Sequence, residues 1–381
     1  MRLGARLANL VISDIRSMSR ACDAIGGINL GQGICDLPTP PAVAKAAVDA
    51  ILANKVVYTA PEGIAPLRAA IARKIERLYG LSYDVGSEVV VTSGATGGFA
   101  AACLALFDPG DEIILFEPYY GYHLNTVLTF GLVPVLVATR PPGWGVDAAA
   151  LRAAITPKTR AILVCTPGNP SGKVWTEAEL DLVAQVCEEH DLLAITDEIY
   201  EHMVYDGRTH VPLATRGKAR ERTVMISGFS KTFAVTGWRM GYLTANPEIA
   251  RRITIAHDLM YVCAPTPLQH AMVAALDSPP SYYAELTESY LRKREILCSA
   301  LQDAGLTPYV PQGAYYVLAD IRKLGAPTAK AAAMTLLERT KIASVPGTSF
   351  YADPIGETLT RFCYAKEEDV LEEAARRLRA L

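Results

Sequence analysis

Short apolar runs alternate with amphipathic segments through the middle of this chain. The runs are rich in Val, Ile and Leu with few polar positions, which is typical of strands buried on both faces of a sheet. They cover residues 88–91, 112–116, 132–137, 161–165, 192–196, 223–226 and 240–244. Helical spacing falls between several of them, notably over 95–107 and 177–190. The pattern predicts an α/β fold with a mostly parallel sheet sandwiched by helices.

The regions before and after these predicted strands have a different pattern of residues. Glycines and prolines in the stretch INLGQGICDLPTP, which ends at residue 40, indicate an irregular extended arm. A charged helical pattern begins after the prolines at 279 and 280, and shorter apolar runs follow it. Helices are predicted over 41–53, 64–78, 282–304 and 367–381, and further strands over 313–319, 342–345 and 359–364. We expect a large domain, 41–275, and a smaller α+β domain formed by the arm 1–40 and by 276–381.

Composition narrows the classes of function. The 381 residues carry a formal net charge of −3, which argues against nucleic acid or an anionic membrane as the main partner. The eight cysteines and six histidines show no metal-ligand spacing, so we expect no metal. The chain shows neither a signal peptide pattern nor an apolar run of the roughly 20 residues a membrane helix needs. We therefore expect a cytoplasmic protein with a small-molecule ligand.

Candidate chemistry lies where the predicted strands end, because ligands bind there in open parallel sheets. The first strand runs into Gly94, Ala95 and Thr96, whose small side chains would let backbone N–H groups approach an anion. A tight turn without a ligand explains the same residues. Tyr120 follows the second strand and could stack on a planar ring or serve as a core aromatic. The glycine fingerprints of dinucleotide and nucleoside triphosphate sites are absent.

Two further strands end in polar side chains. Asn169 stands in Pro-Gly-Asn-Pro, either as a hydrogen-bonding group or as a turn residue. Asp197 follows the run 192–196 and could cap a helix or hold a pyridine nitrogen protonated. Tyr200 would lie on the same side.

Three basic residues complete the candidate site. Lys231 stands in Ser-Lys-Thr after the strand 223–226, and most lysines in such a position are simply solvated. A lysine that acts as a nucleophile needs a lowered pKa, to which Arg239 could contribute while it binds a phosphate. Arg361 lies inside an apolar strand and needs an anionic partner, either a structural carboxylate or that of a substrate.

The whole chain resembles the class I and II aminotransferases, which are pyridoxal 5'-phosphate enzymes of fold type I. The resemblance rests on eight blocks in the family's order, from Asn29 to Arg361. They are NLGQG at 29–33, YTAPEGIAPLR at 58–68, TSGAT at 92–96, EPYYGY at 117–122, TPGNPSGKV at 166–174, DEIY at 197–200, SK with GWRMGY at 230–242 and RFCYA at 361–365.

The resemblance implies a role for each matching position. Lys231 would form a Schiff base with the cofactor and move the substrate proton, and Asp197 would pair with the ring nitrogen. The remaining cofactor contacts would be Tyr200 and Asn169 to the ring hydroxyl, Tyr120 on the ring face, and Gly94, Ala95, Thr96, Ser230 and Arg239 to the phosphate. Tyr58 would reach that phosphate from a second subunit, which implies a homodimer with shared sites. Gly33, Asn169 and Arg361 would hold the substrate carboxylate.

This chain departs from the family pattern at two places. Gly228 replaces a serine that many relatives carry three residues before the lysine, so Ser227 or Ser230 would take over its phosphate contact. Ile34 and Cys35 follow Gly33, where relatives usually have an aromatic or acidic residue and then proline. No second arginine is clearly placed for a dicarboxylate, which favours neutral or aromatic donors.

Other functions stay open at this point. A β-elimination enzyme of the cysteine-S-conjugate lyase type would use the same cofactor. A ligand-sensing domain of a transcription regulator would need a DNA-binding segment, for which the chain shows no helix-turn-helix pattern. A nicotinamide-dependent dehydrogenase would need the missing glycine fingerprint.

Overall fold

A seven-stranded sheet forms the centre of the protein in a computed structural model, which describes residues 14–381. Strands β2 to β8 form this sheet, and the others belong to smaller sheets. In chain order, the strands of all sheets are β1 (Ile28–Asn29), β2 (Val89–Thr92), β3 (Glu112–Glu117), β4 (Val133–Ala138), β5 (Thr159–Cys165), β6 (Leu193–Asp197), β7 (Thr223–Gly228), β8 (Gly241–Thr244), β9 (Thr307–Tyr309), β10 (Tyr316–Asp320), β11 (Ile342–Ala343), β12 (Val345–Pro346) and β13 (Leu359–Cys363). Each apolar run that predicted a strand of the central sheet overlaps one of β2 to β8.

The α-helices include every one that the sequence pattern predicts. They are α1 (Asp14–Ala24), α2 (Pro41–Leu52), α3 (Ala65–Tyr79), α4 (Gly94–Leu106), α5 (Gly121–Thr129), α6 (Ala148–Ala153), α7 (Glu177–Glu189), α8 (Pro247–Tyr261), α9 (Thr266–Leu276), α10 (Pro280–Asp303), α11 (Ala329–Thr340) and α12 (Glu368–Arg379). Short 3₁₀ helices cover Leu213–Thr215, Ala219–Arg222, Thr236–Trp238, Arg322–Leu324, Gly347–Ser349 and Pro354–Thr358.

The order of the central sheet is β2-β8-β7-β6-β5-β3-β4. Strand β8 runs antiparallel to β2 and β7, and the remaining neighbours pair in parallel. Every residue of β2 and β7 is buried, as expected for strands covered by helices on both faces. The predicted fold class is confirmed. Its parallel strands deliver the residues that follow them to one edge of the sheet.

Local signals define the ends of several helices. Thr176 begins α7 with a capping box, in which its hydroxyl accepts from the Glu179 N–H and Glu179 accepts from the Thr176 N–H. Gly80 ends α3 at a φ of 68°, a left-handed conformation that glycine adopts without a steric cost. These signals define where α7 begins and where α3 ends.

A second, four-stranded sheet of order β12-β13-β10-β9 is antiparallel. The N-terminal arm joins it indirectly, because β1 pairs in parallel with β11. Helix α1, which the sequence pattern did not predict, buries Met18 and Cys22 against a cluster that includes Ala333 and Leu337. The beginning of the predicted arm, residues 1–13, lies outside the described residues.

None of the helices between residues 14 and 381 combines the length and the apolar character that a bilayer crossing requires.

Candidate active site

A cavity of about 450 Å³ opens at the carboxyl ends of the parallel strands. It is lined by ten of the residues that the sequence predicts for the site: Gly33, Ala95, Thr96, Tyr120, Asn169, Asp197, Tyr200, Ser230, Lys231 and Arg239. The cavity is also lined by Gln32, Tyr122, Ile199 and Thr236. Residues from distant parts of the chain therefore converge on one volume.

Lys231 is half-buried in this cavity, in the turn that follows β7. Its Nζ donates to the Gly33 carbonyl oxygen at 3.4 Å and lies 5.5 Å from the centre of the Tyr315 ring. Burial is the main cause that lowers the pKa of the ammonium from 10.5 to about 8. The amine is thus largely neutral in weakly alkaline solution, as a nucleophile or a base requires.

Asp197 ends β6 and is buried at the floor of the cavity. Its Oδ2 lies 2.9 Å from His123 Nε2, and its Oδ1 accepts from the Ile199 N–H at 3.3 Å. The His123 ring also packs edge-on against Tyr120, with centroids 5.2 Å apart. Sequence reasoning missed His123, which lies in the first turn of α5, three positions after Tyr120.

Tyr200 and Gly33 both lie close to Tyr316, a residue that the sequence did not indicate. The hydroxyls of Tyr200 and Tyr316 are 3.2 Å apart. Burial raises the pKa of Tyr316 to about 12, so the phenol stays protonated. A Cβ at Gly33 would collide with the Tyr316 hydroxyl, which explains why the arm carries glycine where it passes the cavity.

The other end of the cavity is suited to an anion. Ala95 and Thr96 lie in the first turn of α4, whose N–H groups and dipole favour negative charge. Arg239 is exposed there, and its Nη1 donates to the Thr236 carbonyl oxygen at 3.0 Å. Gly94 lies directly behind Arg239, because a Cβ at this position would be 2.6 Å from Nη2.

The structure separates the two serines that could replace the missing phosphate contact. The Ser227 hydroxyl donates to Glu201 Oε1 at 2.6 Å inside a buried network, whereas Ser230 lines the cavity. A side chain at Gly228 would be 3.0 Å from both Ile199 Cδ1 and the Met240 carbonyl oxygen. Close packing therefore explains the glycine at 228.

Arg361 is 1% exposed and lies behind Asn169. Its Nη1 donates to Asn169 Oδ1 at 2.9 Å, and its Nη2 donates to the Gly31 carbonyl oxygen at 2.7 Å. The guanidinium lies between the rings of Tyr316 and Phe350, at 4.3 and 4.7 Å from their centres. Its Nε has no partner among the described residues. A buried guanidinium without a carboxylate partner calls for an anionic ligand.

Tyr58 does not join the site within one chain. It is 80% exposed and does not line the cavity. Its exposure outside the cavity is consistent with a contact to another molecule.

The chain was compared with known proteins. The family model for aminotransferase class I and II matches residues 25–378. A probable N-succinyldiaminopimelate aminotransferase from Mycobacterium tuberculosis is 37% identical over 99% of this chain and 98% of its own length. The methionine aminotransferase of Escherichia coli is 33% identical over 99% and 98%.

Solved structures agree with the sequence matches. The structure of N-succinyldiaminopimelate aminotransferase from Mycobacterium tuberculosis superposes with a TM-score of 0.96 at 36% identity and covers 100% of both chains. A family model that covers nearly the whole chain, full-length relatives and the same fold lead to one conclusion. This chain belongs to the class I and II aminotransferases, pyridoxal 5'-phosphate-dependent enzymes that transfer amino groups.

Proposed function

We propose that Lys231 is the catalytic amine with which this aminotransferase moves the α-amino group of an amino acid to a 2-oxo acid. The observation that supports it most is the position of a desolvated amine, with a pKa of about 8, between an anion-binding turn and a buried carboxylate. An amine in this state can attack a carbonyl and can also accept a proton near neutral pH.

The cavity fits pyridoxal 5'-phosphate. Arg239 and the start of α4 offer donors for the phosphate at one end, and Asp197 offers a carboxylate for the ring nitrogen at the other. Glycine at 94 leaves the room that Arg239 occupies. When bound, the cofactor supplies an electron sink for the α-carbon of the amino acid.

The residues around the ring would then act as follows. Asp197, held by His123, would keep the ring nitrogen protonated, and Tyr120 would pack on the ring face. Asn169 and Tyr200 would bind the ring hydroxyl. Lys231 would accept the α-proton of the substrate and then donate a proton to the cofactor. It can accept the proton because its amine is largely neutral above about pH 8.

Arg361 would bind the carboxylate of the substrate. Its Nε has no partner among the described residues, and Gly31 and Asn169 hold the rest of the guanidinium in place. A bidentate pair with a carboxylate would satisfy the charge in this buried position. Gly33 would complete the carboxylate site with its backbone.

A homodimer with shared active sites completes the proposal. Large apolar side chains are exposed in 48–58 and near the end of α8, including Leu52 and Tyr58 at 80% and Leu259 at 79%. Thr266, at the start of α9, donates from its Oγ1 to the Val57 carbonyl oxygen at 2.7 Å and so holds the first region against the helix that follows α8. Exposed apolar surface of this extent is typical of a protein interface.

We also infer the two-domain division, with 41–275 around the large sheet and 1–40 with 276–381 around the small one. The pairing of Ile28 with Ile342 supports the inclusion of the arm in the small domain. All eight cysteines are free thiols, which supports the expected cytoplasmic location.

Replacement of Lys231 by Ala tests the proposed role. We expect transamination to fall at least about a thousandfold, because one side chain supplies both covalent and proton-transfer chemistry. The measurement is 2-oxo acid formation with a panel of amino donors, and Lys158→Ala, at an exposed lysine, is the matched control. Transamination that survives in Lys231→Ala would refute the assignment. Pyruvate and ammonia formed without an acceptor would instead indicate β-elimination.

A further inference from the structure

A second cavity, of about 870 Å³, opens beside the active site between α1 and α5. We call it the α1 groove. Its walls include Arg16 and Arg20 from α1, Asn125 from α5 and Ser349 from the loop before β13. None of the roles proposed above uses the arginines of this groove.

The α1 groove borders the active-site cavity. Tyr122 lines both, and its ring stacks on Tyr120 with centroids 5.3 Å apart. Phe350 lines the groove and at the same time packs against the Arg361 guanidinium. Tyr122 therefore stands in the wall between the groove and the active-site cavity, and Phe350 stands between the groove and Arg361.

The charge of the groove is unbalanced. Asp14 pairs with Lys330 at 2.9 Å and also accepts from Ser349 at 3.3 Å, so this acid and this lysine neutralise each other. Arg16 and Arg20 form no ion pair with any carboxylate in the described part of the chain, although the chain as a whole is acidic. Residues 1–13 contain no Asp or Glu that could neutralise them. Two arginines four positions apart project from one face of a helix.

Helix α1 is held in a defined position relative to the active site. Met18 and Cys22 anchor its opposite face in the protein core. Ser19 accepts from Asn29 Nδ2 at 2.9 Å and donates to Gln32 Oε1 at 3.3 Å, and Gln32 lines the active-site cavity. The two arginines are therefore fixed to the same arm that carries Gly33.

From this juxtaposition we infer that Arg16 and Arg20 bind the distal carboxylate of a long amino acid substrate, and so determine which side chains the enzyme accepts. The inference rests on the proposed function, because it uses Arg361 as the site of the α-carboxylate. It reverses the expectation from sequence that neutral or aromatic donors are favoured, since the arginines come from a helix that the sequence pattern did not predict.

The test compares two donors of equal chain length, L-2-aminoheptanedioate with a distal carboxylate and L-2-aminoheptanoate without one. For the holoenzyme we expect a higher kcat/KM with the dicarboxylate. The double variant Arg16→Gln/Arg20→Gln should lower this value about tenfold, as loss of a charged hydrogen bond does, and change the neutral donor less than about twofold. Added salt should weaken only the dicarboxylate reaction of the unmodified enzyme.

The matched control is Arg73→Gln/Arg77→Gln, which removes two exposed arginines four positions apart on α3, away from both cavities. It should leave both donors unchanged. The inference is overturned if the unmodified enzyme does not prefer the dicarboxylate, or if the preference survives in Arg16→Gln/Arg20→Gln, as it would if another part of the protein covered the groove. Absence of transamination with every donor would refute the proposed function instead.

Discussion

At the scale of single residues, the amine of Lys231 determines the pH response of the site. Its pKa is lowered to about 8, so the ammonium predominates below this pH and the free amine above it. We expect covalent attachment of pyridoxal 5'-phosphate to the cofactor-free chain to become faster as the pH rises, and to level off above about pH 8 to 9. Stopped-flow absorbance across about pH 6 to 10 measures it. A plateau reached only near the ordinary lysine pKa would contradict the prediction.

Some residues of the candidate site could be recognised from the sequence, and others could not. Asp197 and Lys231 each stand at the end of a predicted buried strand, and this position made them candidates before the family resemblance implied their roles. His123 and Tyr316 are equally close to that site, but one lies within a helix and the other within a strand of the small sheet. Their contacts depend on how separate elements pack, which no local pattern encodes.

At the scale of elements, Ser227 lies within β7 and Ser230 follows its end, and we expect only Ser230 to contact a ligand. Ser227 points into a buried network in which Glu201 also accepts from Lys74, Tyr79 and Tyr242. Burial opposes the ionisation of Glu201, but Lys74, together with His202 and His210, outweighs it and holds the pKa of this carboxyl well below its usual range. The network thus ties α3 and β8 to the loop that carries Tyr200.

Alanine at each serine should separate the two roles. Ser227→Ala takes a donor from a buried carboxylate and should cost about 1.5–3 kcal/mol in the free energy of unfolding. Ser230→Ala should leave stability nearly unchanged and weaken binding of pyridoxal 5'-phosphate about tenfold, but not that of pyridoxal, which lacks the phosphate. Denaturant unfolding and cofactor titration measure the two quantities. Equal effects of Ser230→Ala on both cofactor forms would contradict a phosphate contact.

Elements also differ in how well a sequence predicts them. The strands of the large sheet are continuous apolar runs, so their positions follow from the hydrophobic pattern. Helix α1 contains six polar residues among its eleven, DIRSMSRACDA, and buries only Met18 and Cys22. Its place against α11 comes from tertiary contacts rather than from periodicity. For that reason the α1 groove could not be predicted from the sequence.

At the scale of the whole molecule, the exposed apolar side chains around Tyr58 support the proposed homodimer. Leu52 and Leu259 are about as exposed as Tyr58, and this much apolar surface favours association with a second copy. A two-fold symmetric dimer places the same patch on both partners, so each subunit would give its Tyr58 to the other and receive one in return.

Hybrid dimers test this exchange directly. Tyr58→Ala and Lys231→Ala chains are co-expressed with different tags, and dimers that carry both are isolated. One of the two sites then combines Lys231 from one subunit with Tyr58 from its partner, so the hybrid should recover about half of the unmodified activity. The two parent variants, each assayed alone, are the controls. If Tyr58 served its own subunit, the hybrid would contain no complete site and would not exceed half the activity of the Tyr58→Ala parent.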